Sequence, residues 1–276
     1  MSDERFQYQI YTWMDAIQRT APLVHSITNY VTVNDCANAL LAIGARPVMS
    51  HDPREVAEIT RGSQALELNL GATEYLDAMF LSGQAAREKG IPRVIDPVGI
   101  SGSTFRREAL SELQPSAIRG NYSEIHALLA GTDTGTGVDA VVDAAHPALS
   151  RDALAHGMQN YLRTLAFPMI LVASGREDIV ASRDALCFVK NGSPRMSRVT
   201  GTGCMATELL AAFLAVASGE AAFHAAVVAT AFMGIAGEIA EETAPHGSGS
   251  YHIALIDALS TMTAEDIAGR ISVEEA

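Results

Sequence analysis

Short apolar runs alternate with helix-period segments along most of this chain, and each run ends in glycine, proline or a polar residue. That alternation constrains the fold more than any other feature. It predicts strands at Arg46–Ser50, Ala65–Leu70, Arg93–Asp96, Ala117–Asn121 and Pro168–Ser174. Helices are expected between them over 34–43, 53–61 (with Pro53 at its first turn), 73–89, 105–113 and 123–129, with 138–165 mostly helical. The last of these strands is an uninterrupted apolar run, as in a sheet covered on both faces. Strands interleaved with helices imply an α/β fold, with a mostly parallel central sheet and helices on both sides.

The ends of the chain fit the same frame. Residues 6–20 place Tyr8, Ile10, Tyr11, Met14 and Ile17 at helical spacing, and 22–31 starts extended and turns polar. Residues 131–137 are a glycine- and threonine-rich loop. Segments 178–181 and 185–190 are expected as a hairpin at a sheet edge. Beyond residue 203 the expectation is helix only, over 203–217, 220–243, 249–260 and 264–270. Without repeats, low-complexity tracts or a linker, residues 1–276 are expected to form one domain.

In open parallel sheets ligands bind beyond the carboxyl ends of the strands. Those ends carry Met49, Asn69, Asp96, Arg119-Gly120-Asn121, Ser174-Gly175 and the turn Val199-Thr200-Gly201-Thr202-Gly203-Cys204. The turn opens an apolar helix. Free N–H groups and the helix dipole there suit an anion such as phosphate, although a plain tight turn has the same pattern. Cys204 at its mouth offers a thiol as base or nucleophile. Asp96 reads either as a turn cap or as a carboxylate facing a metal–phosphate complex. Glu124, three residues after Asn121, reads either as half of a capping box or as a second such carboxylate. Arg119 can fork onto phosphate oxygens or form a surface ion pair. Ser174 reads as a nucleotide contact or a turn residue, and Met49 as the apolar wall of a small-ring pocket or as core. His25 reads as structural.

Composition removes whole classes. A net charge of −13 opposes nucleic-acid binding, which needs a basic footprint. The apolar stretches are interrupted, so no membrane span is expected, and Met1-Ser2-Asp3-Glu4-Arg5 lacks the basic start of a signal peptide. Three widely separated cysteines fit reduced thiols. A cytoplasmic location is expected.

Seven stretches carry a resemblance. They are residues 22–29, 37–49, Leu68-Asn69-Leu70-Gly71, Ile95-Asp96-Pro97-Val98-Gly99, residues 117–124, Gly137-Val138-Asp139 and Thr200-Gly201-Thr202-Gly203-Cys204. Over about residues 20–260 the chain resembles the hydroxyethylthiazole kinase family, of ribokinase-like fold. The resemblance implies ATP-dependent phosphorylation of the alcohol of 4-methyl-5-(2-hydroxyethyl)thiazole, with Mg²⁺, in a homotrimer whose pockets lie between subunits. It implies Met49, Asn29 and Gly201 at the thiazole alcohol, and Arg119, Ser174 and Gly203 at ATP. Asp96 and Glu124 would organise the metal, and Cys204 would hold the catalytic position, where the wider fold carries Asp. Ser174 stands where the family commonly has Thr, and Arg46 where a small residue is common. From the residues alone, a cysteine hydrolase, a non-catalytic binding protein and a pyrimidine kinase remain alternatives.

Overall fold

The computed structural model describes residues 4–131, 150–217, 219–244 and 246–276. The motif Gly137-Val138-Asp139 and the first part of the helix expected over 138–165 lie outside them. The strands are β1 (Leu23–Ile27), β2 (Arg46–Val48), β3 (Ala65–Asn69), β4 (Arg93–Asp96), β5 (Ala117–Asn121), β6 (Ile170–Ser174), β7 (Asp178–Ala181), β8 (Leu186–Val189) and β9 (Val273–Glu275). They form one sheet in the order β2-β1-β3-β4-β5-β6-β7-β8-β9. Pairing is parallel from β2 to β6 and antiparallel from β6 to β9.

Alternation along each strand separates two cores. Val24, Ala65, Val94, Ala117, Ile170 and Val172 pack on one side. That side is covered by α1 (Glu4–Thr20), α2 (Val33–Ala42), α8 (Thr202–Val216), α9 (Ala221–Thr243), α10 (Ser248–Thr261) and α11 (Ala264–Arg270). Ile27, Leu66, Leu68, Ile95, Ile118 and Leu171 face the other way. There they meet α3 (Val56–Gly62), α4 (Leu76–Lys89), α5 (Thr104–Leu113), α6 (Tyr122–Ala130) and α7 (Arg151–Thr164). Side chains two apart on a strand share a face. Ser26, Glu67, Asn69, Asp96, Arg119 and Ser174 therefore all belong to the face that α8 covers. His25 belongs to the opposite face, buried and bonded to Thr60 Oγ1 at 2.8 Å and the Ser50 carbonyl at 2.9 Å. Its role is structural.

α8 is apolar all round because it is enclosed. Met205 to Leu214 are buried without a break. α9 is long and apolar enough to cross a membrane by composition, yet residues 225–237 are buried against the rest of the fold.

Three expectations need correcting. Tyr8 and Tyr11 are exposed, and the buried stripe of α1 is Phe6, Ile10, Trp13, Met14 and Ile17. Pro53 precedes α3 instead of entering its first turn, because Asp52 draws the Arg54 N–H into a local turn. The β7–β8 hairpin is not the sheet edge, since β9 pairs with β8.

β9 is too short and too acidic to be read from pattern, and Asn191 helps hold its approach. The Asn191 side chain donates to the Arg270 carbonyl at 3.0 Å and accepts from the Ser272 N–H at 2.8 Å. Replacing it leaves these backbone groups unpaired at a nearly buried position. Asn191→Ala should cost about 1–3 kcal/mol. Hydrogen exchange should rise first over residues 271–276; uniform loss across the sheet would contradict this account.

Candidate active site

The polar ends of β3, β4 and β5 meet the start of α8. Gly201 is the N-cap of that helix, with φ of +88°. A Cβ there would be strained, and would stand 3.0 Å from Thr32 Cγ2. The turn can therefore lie close against the segment before α2. Cys204 follows in the first turn of α8, half-buried.

Asn69 joins the elements. Its Nδ2 donates to Asp96 Oδ2 at 3.0 Å and to Cys204 Sγ at 3.2 Å. Its Oδ1 accepts from the Gly71 N–H at 2.8 Å and from Asn29 Nδ2 at 3.3 Å. Asn29 Nδ2 also lies 3.6 Å from Cys204 Sγ. Asn29, Asn69, Asp96 and Cys204 thus form one network drawn from four segments.

Arg119, 8% exposed, donates through Nη1 to the Gly203 carbonyl at 3.1 Å. Its buried Nε has no partner. A guanidinium held beside a helix N-terminus with a donor unspent is a fit for an anion. Ser174 sits opposite Asn121 in the β5–β6 register, and its hydroxyl reaches the Gly120 carbonyl at 3.3 Å. Gly120 permits a close approach, since a Cβ there would lie 2.8 Å from Pro97 Cγ.

Glu124 makes the capping box. Its Oε2 accepts the Asn121 N–H at 2.9 Å, and the Asn121 side chain accepts the Glu124 N–H at 2.9 Å. Its Oε1 accepts the Gly99 N–H at 3.2 Å. Both oxygens are engaged, but each retains accepting capacity. Met49 stands apart. It follows the outer strand β2, half-buried, with β1 between it and β3.

Burial dominates the electrostatics. It pushes the Asp96 carboxyl up to about 7, helped by Glu124 and opposed by Arg119. Burial, with the Asp96 charge added, pushes the Cys204 thiol up to about 12. The helix N-terminus does not overcome these effects, so Cys204 is a thiol at neutral pH.

Sequence reading passed over a second layer below this network. Ser26, Glu67 and Glu208 are all fully enclosed. The signal was present: Glu67 interrupts an apolar strand, and Glu208 an apolar helix. A charge within a segment that reads as buried marks a functional or paired group.

A model of the hydroxyethylthiazole kinase family matches residues 14–265. The hydroxyethylthiazole kinase of Ruminiclostridium cellulolyticum is 42% identical over 262 residues, covering 92% of this chain and 93% of that protein. Its counterpart from Clostridium beijerinckii is 40% identical over 282 residues, covering 100% of both. The solved hydroxyethylthiazole kinase structure from Pyrococcus horikoshii superposes with a TM-score of 0.84 at 33% identity, covering 98% of this chain and 99% of that one. A pyridoxal kinase from Staphylococcus aureus, solved with AMP-PCP and pyridoxal, gives 0.57 at 13% identity, over 92% of this chain and 98% of that one. At that identity the likeness is one of fold, and the shared fold is ribokinase-like.

The thiol's position gives a direct test. Iodoacetamide should label Cys204 slowly at pH 7 to 8, with a rate still rising at pH 10, because the thiolate is the reactive form. Asp96→Asn removes a nearby negative charge and should bring that rise to lower pH. A plateau below pH 9 in the parent protein would contradict the raised pKa.

Proposed function

The chain belongs to the hydroxyethylthiazole kinase family, and on that premise we propose that it transfers the γ-phosphoryl group of ATP to the alcohol of 4-methyl-5-(2-hydroxyethyl)thiazole, a step of thiamine biosynthesis. One observation carries the reading beyond kinship. The unspent Arg119 Nε and the glycine turn lie beside a network that ends on Cys204 and Asp96. An anion cradle and a reacting-group position therefore adjoin. The whole chain is read as one catalytic domain.

In this reading Arg119, Ser174 and the Gly203 turn bind ATP. Asn29, Gly201 and Met49 receive the thiazole alcohol. The alcohol oxygen attacks the γ-phosphorus, the bond to the β–γ bridging oxygen breaks, and ADP leaves with that electron pair. The transition state is loose, so positioning and charge stabilisation do most of the work. Arg119 and the backbone N–H groups of 201–204 meet the developing charge. Cys204 occupies the catalytic position. As a thiol near 12 it is a poor proton acceptor, so its contribution is chiefly to orient the alcohol, and the alcohol proton passes late to an oxygen of the transferred phosphoryl group and from there to water.

Mg²⁺ fits the donor set in a limited way. Among the described residues no group of three or more potential ligands forms an all-protein cage. Magnesium bound through phosphates and water needs only one or two carboxylates. Asp96, a buried carboxyl, would gain from a nearby cation, and Glu124 would help hold such an ion through its remaining lone pairs or through water. When bound, the metal would neutralise phosphate charge.

A homotrimer with pockets between subunits belongs to the same proposal. Tyr30 is 80% exposed and Val31 58%, directly after Asn29; Leu41 on α2 and Ile253 on α10 are also exposed. These apolar side chains would be covered by a second copy. A cytoplasmic location is consistent with the three free cysteines.

ADP release should require the thiazole alcohol, ATP and Mg²⁺ together, and should fail with pyrimidine alcohols; no phosphorylated thiazole by mass spectrometry would end the assignment. Sedimentation should give a trimer, and a stable active monomer would remove the interfacial pocket. Arg119→Ala should lower kcat about 10²–10³-fold. Cys204→Ala, which removes an orienting group, should cost up to about 10²-fold. Cys204→Asp places a carboxylate where burial raises carboxyls towards 7, still a far better acceptor than the thiol, and should exceed Cys204→Ala at every pH from 6 to 9. Equality of the two would leave position 204 with a purely steric role.

A further inference from the structure

Two spacings match between β3 and α8. Residues two apart on a strand lie about 6.6 Å apart on one face. Residues four apart on a helix lie about 6 Å apart on one face. Asn69 and Glu67 on the strand therefore face Cys204 and Glu208 on the helix as two parallel rungs. The upper rung is the Cys204–Asn69–Asp96 network. The lower rung is Glu208–Ser26–Glu67.

The lower rung has a proton requirement that follows from counting. Ser26 Oγ lies 2.5 Å from Glu208 Oε1 and 2.9 Å from Glu67 Oε2. A hydroxyl has one hydrogen, so it donates to one carboxyl and must accept from the other. The second contact needs a hydrogen that only a protonated carboxyl supplies. The two carboxyl groups lie close enough for the charge on one to raise the pKa of the other. Glu67 Oε1 and Glu208 Oε2 are buried without partners. Two full charges there would be uncompensated.

We propose that Glu67 and Glu208 share a single proton across Ser26 and, in that singly protonated form, act as positioning residues that hold the first two turns of α8 against β3, with Cys204 seated on Asn69. The catalytic part of this rests on the reading of Cys204 above. The titratable groups that face the pair are Cys36 from α2, Cys204 from α8 and Asp96 from β4. All are thiols or a carboxyl and none brings positive charge. Burial raises both glutamates above the ordinary carboxylate range, and their mutual repulsion raises Glu67 further. The loss of the shared proton would put two like charges under the site and push the rungs apart.

Linkage gives the test. Unfolded glutamates release their protons near about 4.3, whereas the folded pair retains one. The stability this proton carries is complete below that pH and is lost as pH rises towards the folded pKa. The pair should therefore lower the folding constant about tenfold per pH unit over that window. A glutamine supplies permanently the donor that the acid supplied. Urea unfolding is measured without substrate from pH 5 to 8 on the parent, E67Q, E208Q and E67Q/E208Q. Asp96, also raised by burial, contributes a slope of its own in every form, so the variants are read as differences from the parent. Each single variant should lose a tenfold-per-unit part of the slope, and the double variant no more than that. The single variants should fold about as well as the parent at pH 5 and gain about 10²–10³-fold on it by pH 8. In the kinase assay the alkaline fall in kcat should move to higher pH in both, with KM for ATP little changed.

A slope that persists undiminished in either single variant means the pair holds no shared proton, and overturns the proposal. A double variant that loses a second tenfold-per-unit part of the slope beyond either single means two protons, and also overturns it. A lost slope with an unmoved kcat profile overturns the positioning role. The unfolding measurement needs no acceptor, so a failed thiazole assignment would leave it standing.

Discussion

The side chain of Asn69 is the interaction on which the Asp96–Cys204 end of the candidate site depends. Its amide nitrogen ties Asp96 to Cys204, and its oxygen gathers the Gly71 N–H and Asn29. An amide is the one small side chain that donates and accepts from the same planar group. A carboxylate at this place could not donate to Asp96, and a hydroxyl could not reach all four partners. With the amide satisfied on both sides, a thiol, a carboxyl and the segment before α2 are fixed relative to one another. Low local polarity makes each of those bonds costly to break.

Strand parity explains why such different residues converge. Ser26, Glu67, Asn69, Asp96, Arg119 and Ser174 come from five strands, and the alternation that separates the two cores puts all six under α8. The same face becomes apolar towards the amino ends of the strands, where Val24, Ala65, Val94 and Ala117 pack. Polar chemistry is thus confined to one end of a layer that is otherwise oil-filled. Confinement raises the pKa of every acid in it. Asp96 gains from any cation brought in with phosphates, and Cys204 is kept a thiol until something displaces its neighbours.

Much of this was legible beforehand. The alternation of strands and helices, the polar strand ends and the glycine turn follow from short-range pattern, and six of the seven family stretches fall on them, the seventh lying outside the described residues. The capping box at Asn121 and Glu124 was readable too, because it depends on residues three apart. What escaped were pairings that span the chain. β9 has three residues and no periodicity, and it exists because β8 offers an edge. Glu67 and Glu208 looked like isolated polar interruptions until strand and helix were laid together. Tyr8 and Tyr11 fit a helical period as well as their buried neighbours do, and only the rotation of α1 against the core chooses between them.

The rung that joins Ser26, Glu67 and Glu208 spans 182 residues between its first and last members. During synthesis the strands of the first half can pair early, but their carboxyl-lined face stays uncovered until α8 has left the ribosome. Until then a nascent chain carries acids in contact with water, where they are ionised and well solvated. Docking of α8 then strips that water and recruits a proton in one event. The rung and the Cys204 contact therefore cannot form until α8, late in the chain, is in place.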